Sequence, residues 1–235
     1  MKECCMSKRE LYSRRDIVAS YETRRFSGET GRRVNERELK IAQSLLPKGV
    51  VILDFPCGTG RLFDFLSRKG INVIGADYST EMLMATRRRS QGDLIRADAF
   101  NMPLKGSSLS GIASLRFCQH YPNIHSFFKE VHRILKYDGV FVFDTFRWSP
   151  WTVLGFIKKN KKVYTYSRSR VLGILKRLNM LVEEGVDCFL FSPLIYGKLP
   201  LSLVLLLEKI EAVLPAKFMV RTFWKVRKAR DTGCS

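Results

Sequence analysis

Short apolar runs alternate with amphipathic segments through about residue 145, and this alternation predicts the secondary structure. The expected strands are mostly apolar runs at residues 50–53, 71–76, 93–97, 111–117 and 140–143. Apolar residues at helical spacing lie before and between them, at residues 35–46, 61–69, 79–89 and 124–135. Strands that alternate with helices indicate a parallel sheet with helices on both of its faces.

After residue 145 the alternation is less regular. The expected elements there are a helix at 167–178, a strand at 182–191, a helix at 201–214 and a last strand at 218–226. The helix at 201–214 is strongly apolar, but it also contains Glu208, Lys209 and Glu211. These charges favour an amphipathic helix packed on the core over a helix that lies on a membrane surface.

The first predicted strand leads into residues 49–61, which read GVVILDFPCGTGR. Asp54 ends the strand. Pro56, Gly58 and Gly60 then allow a sharp turn that brings the backbone close to a ligand before a helix begins. A strand, a glycine turn and a helix open a nucleotide-binding α/β unit, whose ligand lies above the carboxyl end of the strand.

Two classes of ligand use this arrangement, and the residues distinguish them. A dinucleotide site usually has a G-x-G-x-x-G run, whereas this chain has Phe63 at the third glycine position. Asp54 would also place an anion beside a diphosphate. S-adenosylmethionine (SAM) has an ammonium, a sulfonium and no phosphate, so a carboxylate at this position favours SAM.

From about residue 21 to residue 226 the chain resembles the class I SAM-dependent methyltransferases, in particular the small-molecule subgroup with the ubiquinone/menaquinone-biosynthesis methyltransferases (methyltransferase domain 11-like). LDFPCGTGR resembles the first motif of the family, commonly D-x-G-x-G-x-G, with Pro56 replacing the first glycine. The resemblance implies a Rossmann-like, doubly wound α/β fold with a seven-stranded, mostly parallel sheet and an antiparallel last strand. It also implies an enzyme (EC 2.1.1.-) that uses S-adenosyl-L-methionine and releases S-adenosyl-L-homocysteine.

The resemblance also assigns residues to the cofactor. Asp77, 19 residues after Gly58, matches the acidic residue that binds both ribose hydroxyls in the family. Asp98 matches the residue that accepts from the adenine amino group, with the Ala99 N–H reaching a ring nitrogen. The complete set implied for SAM is Asp54, Pro56, Cys57, Gly58, Thr59, Gly60, Asp77, Tyr78, Asp98, Ala99, Leu115 and Arg116.

Other candidates concern the acceptor. His120 follows the fourth strand, where the fold family has the edge of its acceptor pocket, so it is a candidate catalytic base; a structural histidine bonded to backbone is the alternative. Tyr21 and Arg25 are candidates for a lid over SAM, and Trp148 and Trp151 for the acceptor pocket. No metal site is expected, because the six Cys show no paired spacing and the chain has three His.

The expected organisation is one domain with additions. Residues 1–30 are assigned to a basic N-terminal tail or lid, and residues 31–147 to the SAM-binding Rossmann-like core. Residues 148–180 are assigned to an acceptor-cap insertion, and residues 181–235 to strands and a helix that complete the same sheet.

Charge and cysteine usage add expectations about partners and location. The chain has a net charge of +19, which attracts nucleic acid, an anionic membrane surface or an anionic acceptor; a solvated basic surface explains it equally well. Unpaired cysteines and a charged N-terminus without an apolar run indicate a cytoplasmic protein. Peripheral contact with a membrane is a further possibility that the basic charge raises. Its oligomeric state is left open.

The predicted function is transfer of the SAM methyl group to a small-molecule acceptor by in-line displacement. The alternatives are a methyltransferase acting on RNA or DNA, one acting on a membrane-associated lipid or quinone, and a non-catalytic partner protein with the same fold. Residues 114–117 read SLRF instead of the Asn/Asp-Pro-Pro-aromatic motif typical of amino-methylating nucleic-acid enzymes, which counts against a base-flipping enzyme of that kind. The intact acidic and glycine positions count against a non-catalytic protein.

Overall fold

The computed structural model describes Arg14, Val18, residues 28–149 and residues 163–230. In this part of the chain seven strands form one sheet in the order β3-β2-β1-β4-β5-β7-β6. They are β1 Ile52–Asp54, β2 Val73–Asp77, β3 Asp93–Arg96, β4 Leu109–Ser114, β5 Leu135–Phe146, β6 Met180–Cys188 and β7 Arg221–Lys228. β7 runs antiparallel between β5 and β6, and the other strands are parallel. The predicted fold class is confirmed.

Helices cover both faces of the sheet, because β1 and β5 are apolar on both sides. In β5, Phe141 and Phe143 face one core, and Val140 and Val142 face the other. The face of the sheet with Phe141 and Phe143 packs against α4 and α5. The face with Val140 and Val142 packs against α1, α2, α6 and α7. The helices are α1 Gly28–Leu45, α2 Arg61–Ser67, α3 Thr80–Arg89, α4 His125–Ile134, α5 Arg168–Arg177, α6 Pro193–Tyr196 and α7 Leu201–Val213.

The strand order places a crevice at the centre of the sheet. β1 pairs with β2 on one side and with β4 on the other, so the chain reverses its direction of winding at β1. In open α/β sheets a ligand binds at this switch point, beyond the carboxyl ends of the strands. Asp54, Asp77 and the residues after Ser114 are therefore brought to one edge.

Two expectations about elements are corrected. β5 extends over Leu135–Phe146, well beyond the predicted 140–143, because β7 pairs with it from Val140 to Phe146. The second concerns the helix predicted at 201–214, which packs on the core as expected but buries few of its apolar residues. The buried residues of α7 are Val204 and Glu211, whereas Leu203, Leu206 and Ile210 are exposed.

Candidate cofactor and acceptor site

The backbone conformation of the turn after β1 is fixed by a hydrogen bond and by two glycines. The Cys57 N–H donates to the Ala76 carbonyl at 2.8 Å, which ties the turn to β2. Gly58 and Gly60 have φ values of 57° and 78°, in the left-handed region that glycine adopts at little cost. A Cβ at Gly60 would lie 2.6 Å from the Thr86 side chain. This position therefore requires glycine both for its backbone angle and for its close approach to α3.

Asp77 connects this turn to the start of α3. Its Oδ2 accepts from the Gly58 N–H at 2.9 Å, and its Oδ1 accepts from the Ser79 N–H at 2.9 Å. The side chain is buried, and burial raises the pKa of Asp77. Each carboxylate oxygen can accept a second hydrogen bond. The two backbone contacts orient Asp77 for two hydroxyls of a ligand, which fits the ribose of SAM.

Asp54 is buried at the end of β1 and is hydrogen-bonded to the start of α2. Its Oδ2 accepts from the Phe63 N–H in the first turn of α2 at 3.0 Å. Burial raises the pKa of Asp54 to about 8, and the neighbouring Asp77 charge also raises it. The carboxyl is therefore largely protonated at neutral pH. The attraction for a cation that the sequence predicts at Asp54 requires that the ligand itself lower this pKa.

These residues line one cleft of about 1030 Å³ that is partly open to solvent. It contains all the predicted SAM positions except Gly60: Asp54, Pro56, Cys57, Gly58, Thr59, Asp77, Tyr78, Asp98, Ala99, Leu115 and Arg116. His120 also lines the cleft, whereas Trp148 does not and is 67% exposed. Tyr21, Arg25 and Trp151 lie outside the described residues.

A buried charge network behind the cleft was missed in the sequence. Glu38 of α1 accepts from Arg61 Nη2 at 3.0 Å and from Arg116 Nε at 3.0 Å, and lies 2.5 Å from Arg221 Nη1. Arg221 Nε donates to Asp144 Oδ2 at 2.7 Å. Three guanidinium groups and two carboxylates leave an excess of positive charge. Arg61 and Arg116 line the cleft, so its wall favours a carboxylate or another anion.

The network also shifts pKa values and constrains the backbone. Burial lowers the pKa of Arg116 to about 10, and Glu38 opposes that shift. The arginines hold the pKa of Glu38 well below its usual range in spite of complete burial. Arg116 has a φ of 59°, and its N–H donates to Asp144 Oδ1 at 2.5 Å. The turn after β4 is therefore held by a side chain of β5.

Aromatic rings form the side of the cleft that follows β4. Phe117, His120 and Tyr121 all line the cleft, and the ring centroids of Phe117 and Tyr121 are 4.8 Å apart. Phe100 lies 5.1 Å from the Tyr121 ring. The Tyr166 hydroxyl donates to the Tyr121 carbonyl at 2.5 Å. A residue from the predicted acceptor cap thus supports the turn that contains His120.

Comparisons with known proteins agree with this geometry. The family described as a methyltransferase domain matches residues 53–143. An uncharacterized protein of Methanocaldococcus jannaschii is 30% identical over 59% of this chain and 54% of its own length. A demethylmenaquinone methyltransferase of Thermotoga maritima is 27% identical over 62% of this chain and 73% of its own. The chain spans about half the length of the first of these relatives.

Solved structures show the same fold. A SAM-dependent methyltransferase of Thermotoga maritima superposes with a TM-score of 0.68 over 91% of this chain and 97% of its own, at 20% identity. The matched domain covers β1, the glycine turn and the strands up to β5. The cleft residues fit a ligand with a ribose and a cationic amino-acid part. Residues 53–143 thus form a methyltransferase domain within a class I SAM-dependent methyltransferase fold, and SAM is the cofactor of this domain.

Proposed function

We propose that this protein methylates a small-molecule acceptor that has a planar, largely apolar part. The observation that supports this proposal is the aromatic side of the cleft, where Phe117 and Tyr121 line the same cleft as His120 and the predicted SAM residues. Aromatic walls bind flat rings through stacked and edge-to-face contacts. One relative is named a demethylmenaquinone methyltransferase, and the quinone in that name is consistent with an acceptor that has a planar ring.

In this proposal the residues around the turn bind and orient the cofactor. Asp77 accepts from the ribose hydroxyls, and Asp98 with Ala99 recognises the adenine edge. Arg61 and Arg116 attract the methionine carboxylate through the excess positive charge of the buried network. When bound, SAM supplies an activated methyl group on its sulfonium. Alignment of the acceptor with that methyl can contribute about 7–11 kcal/mol to catalysis.

His120 has the position of a general base for acceptors that lose a proton. It lies on a short 3-10 helix, Cys118–His120, whose turn lines the cleft. A base within hydrogen-bond reach of a hydroxyl typically contributes about 10²–10⁴-fold. An acceptor atom that carries no proton to be lost on methylation needs no base, so the effect of removing His120 reports the class of acceptor atom.

The test is an assay with SAM labelled in its methyl group. Quinols, phenols and small aromatic carboxylates are offered as acceptors, and transfer RNA is offered in parallel. We expect label in the solvent-extracted fraction. His120→Ala should lower turnover by at least about tenfold at unchanged SAM affinity. His125→Ala is the matched control, because His125 begins α4 and does not line the cleft.

RNA is the second candidate acceptor, and the net charge of +19 favours it. Label in the acid-precipitated RNA, with none in the solvent extract, would replace the small-molecule proposal. SAM binding without label in any fraction would favour the non-catalytic alternative.

A further inference from the structure

Helix α7 turns an apolar face to solvent. Its 13 residues include Leu206, which is 52% exposed, and Val213, which is 81% exposed. Four of its exposed apolar residues recur at spacings of three, four and three positions, which places them along one side of a helix. This apolar stripe consists of Leu203, Leu206, Ile210 and Val213.

The acidic residues of α7 point inward instead. Glu211 is 7% exposed and lies 2.5 Å from Arg37 of α1. It also accepts from the Leu190 N–H at 3.1 Å and from the Tyr196 hydroxyl. Glu208 accepts from Arg33 Nη2 at 2.7 Å. Both carboxylates are thus neutralised by α1, and the apolar stripe is left as the outer surface.

Three exposed lysines lie close to the apolar stripe in the sequence. Lys209 lies within α7, Lys198 precedes the helix, and Lys217 follows it. Their long stems can lie along an apolar surface while the ammonium groups remain in water. An apolar helix face bordered by lysines is typical of helices that lie in the plane of a membrane surface.

We propose that α7 binds the surface of an anionic lipid bilayer, with the apolar stripe inserted at the level of the headgroups. The net charge of +19 and the exposed lysines within and next to α7 in the sequence favour anionic lipid. The proposal concerns the place where the protein acts, and it holds whichever acceptor is methylated.

Two other occupants of the stripe fit less well. A second copy would bring two chains of net charge +19 together, and such like charge opposes association. Insertion across the bilayer requires about 30 Å of apolar helix, whereas 13 residues extend over about 20 Å. None of the helices in the described ranges meets the length and hydropathy that a membrane span requires.

The test is co-sedimentation of the full chain with lipid vesicles. We expect binding to vesicles of phosphatidylcholine mixed with phosphatidylglycerol, weaker binding to phosphatidylcholine alone, and a decrease as salt is raised. The double variant Leu206→Glu with Ile210→Glu should reduce partitioning by about tenfold or more. Leu172→Glu is the matched control, because Leu172 is 40% exposed on α5, which packs on the opposite face of the sheet.

Affinity for S-adenosylhomocysteine, measured by calorimetry, shows that each variant remains folded. Failure of the wild-type chain to sediment with the anionic vesicles would overturn the proposal. Equal partitioning of the wild-type chain and the double variant would also overturn it. A dimer seen by light scattering, and lost in the double variant, would assign the stripe to a second copy instead.

Discussion

Asp77 holds the turn, and we propose that the same carboxylate also binds the ribose of the ligand. Its oxygens already accept from the N–H groups of Gly58 and Ser79, and their remaining lone pairs are the ones available to ribose. Hydrogen bonds to a charged group contribute about 1.5–3 kcal/mol each. We therefore expect Asp77→Asn to weaken SAM binding by about tenfold to a hundredfold, measured by titration calorimetry.

The matched control is Asp93→Asn. Asp93 is exposed at the start of β3, one strand away from Asp77, so the same chemical change should leave SAM affinity unaltered. Unaltered affinity in Asp77→Asn, with a normal thermal transition, would remove Asp77 from the ribose site.

Asp54 should couple SAM binding to pH. Burial raises its pKa from 3.8 to about 8 in the free protein. Native Asp54 thus retains a proton that the unfolded chain has lost, and its burial costs more stability as pH rises between these values. A cationic ligand beside Asp54 lowers the pKa again. We expect SAM affinity to rise from pH 6 to pH 8, with release of up to about one proton.

Calorimetry in two buffers with different ionisation enthalpies measures this proton directly. Asp54→Asn should abolish both the proton release and the rise in affinity with pH, because the amide does not titrate. If the two proteins show the same pH profile, another group is responsible for the coupling.

At the level of elements, α1 joins the cleft to β7 through one buried carboxylate. Glu38 contacts Arg61 of α2, Arg116 after β4 and Arg221 of β7. Removal of one charge from a buried ion cluster typically costs about 3–5 kcal/mol, since the remaining charges are left uncompensated. Glu38→Gln should lower the free energy of unfolding by an amount of that order, measured by urea denaturation.

Glu36 provides the control on the same helix. It is 58% exposed and pairs with Lys40, and exposed ion pairs contribute little. Glu36→Gln should therefore leave the urea midpoint close to that of the wild type. A similar midpoint for Glu38→Gln would mean that the buried network adds no net stability.

Elements with local signals were the ones that the sequence could predict. Ser79 begins α3 as expected, since its Oγ accepts from the Met82 N–H at 3.2 Å. The length of β5 depends on pairing with β7, which lies about 80 residues further along the chain. The partners of Glu38 are likewise distant, so no spacing could reveal them. In α7, burial of Glu211 depends on Arg37 of α1, and the helix pattern alone could not reveal that partner.

At the scale of the whole molecule, one charged cluster is buried and most of the net positive charge lies elsewhere in the chain. The interior contains a cluster of three arginines with Glu38 and Asp144, which leaves one unit of positive charge, and the rest of the +19 charge is distributed over the remaining chain. The cleft opens at the switch point between β1 and β4, and α7 lies against α1, which also lines the cleft through Leu39. If α7 binds a membrane surface as proposed, α1 is the physical link between that surface and the cofactor site.

Ligand binding should be visible in the stability of the whole chain. At a concentration of 100 times its Kd, S-adenosylhomocysteine adds about 2.7 kcal/mol to the free energy of unfolding. For a chain of 235 residues, that gain corresponds to an increase in Tm of roughly 5–10 °C. Differential scanning calorimetry measures the shift, which should be smaller in Asp77→Asn at the same ligand concentration.

NADH is the informative comparison ligand, because a dinucleotide needs free N–H groups for its diphosphate. In this turn the Gly58 N–H donates to Asp77 and the Phe63 N–H donates to Asp54. The amides that would face a diphosphate are therefore already bonded to carboxyl groups, and we expect NADH to leave Tm unchanged. An increase in Tm with NADH and none with S-adenosylhomocysteine would show that the cleft accepts a diphosphate, and the assignment of SAM to this turn would be wrong.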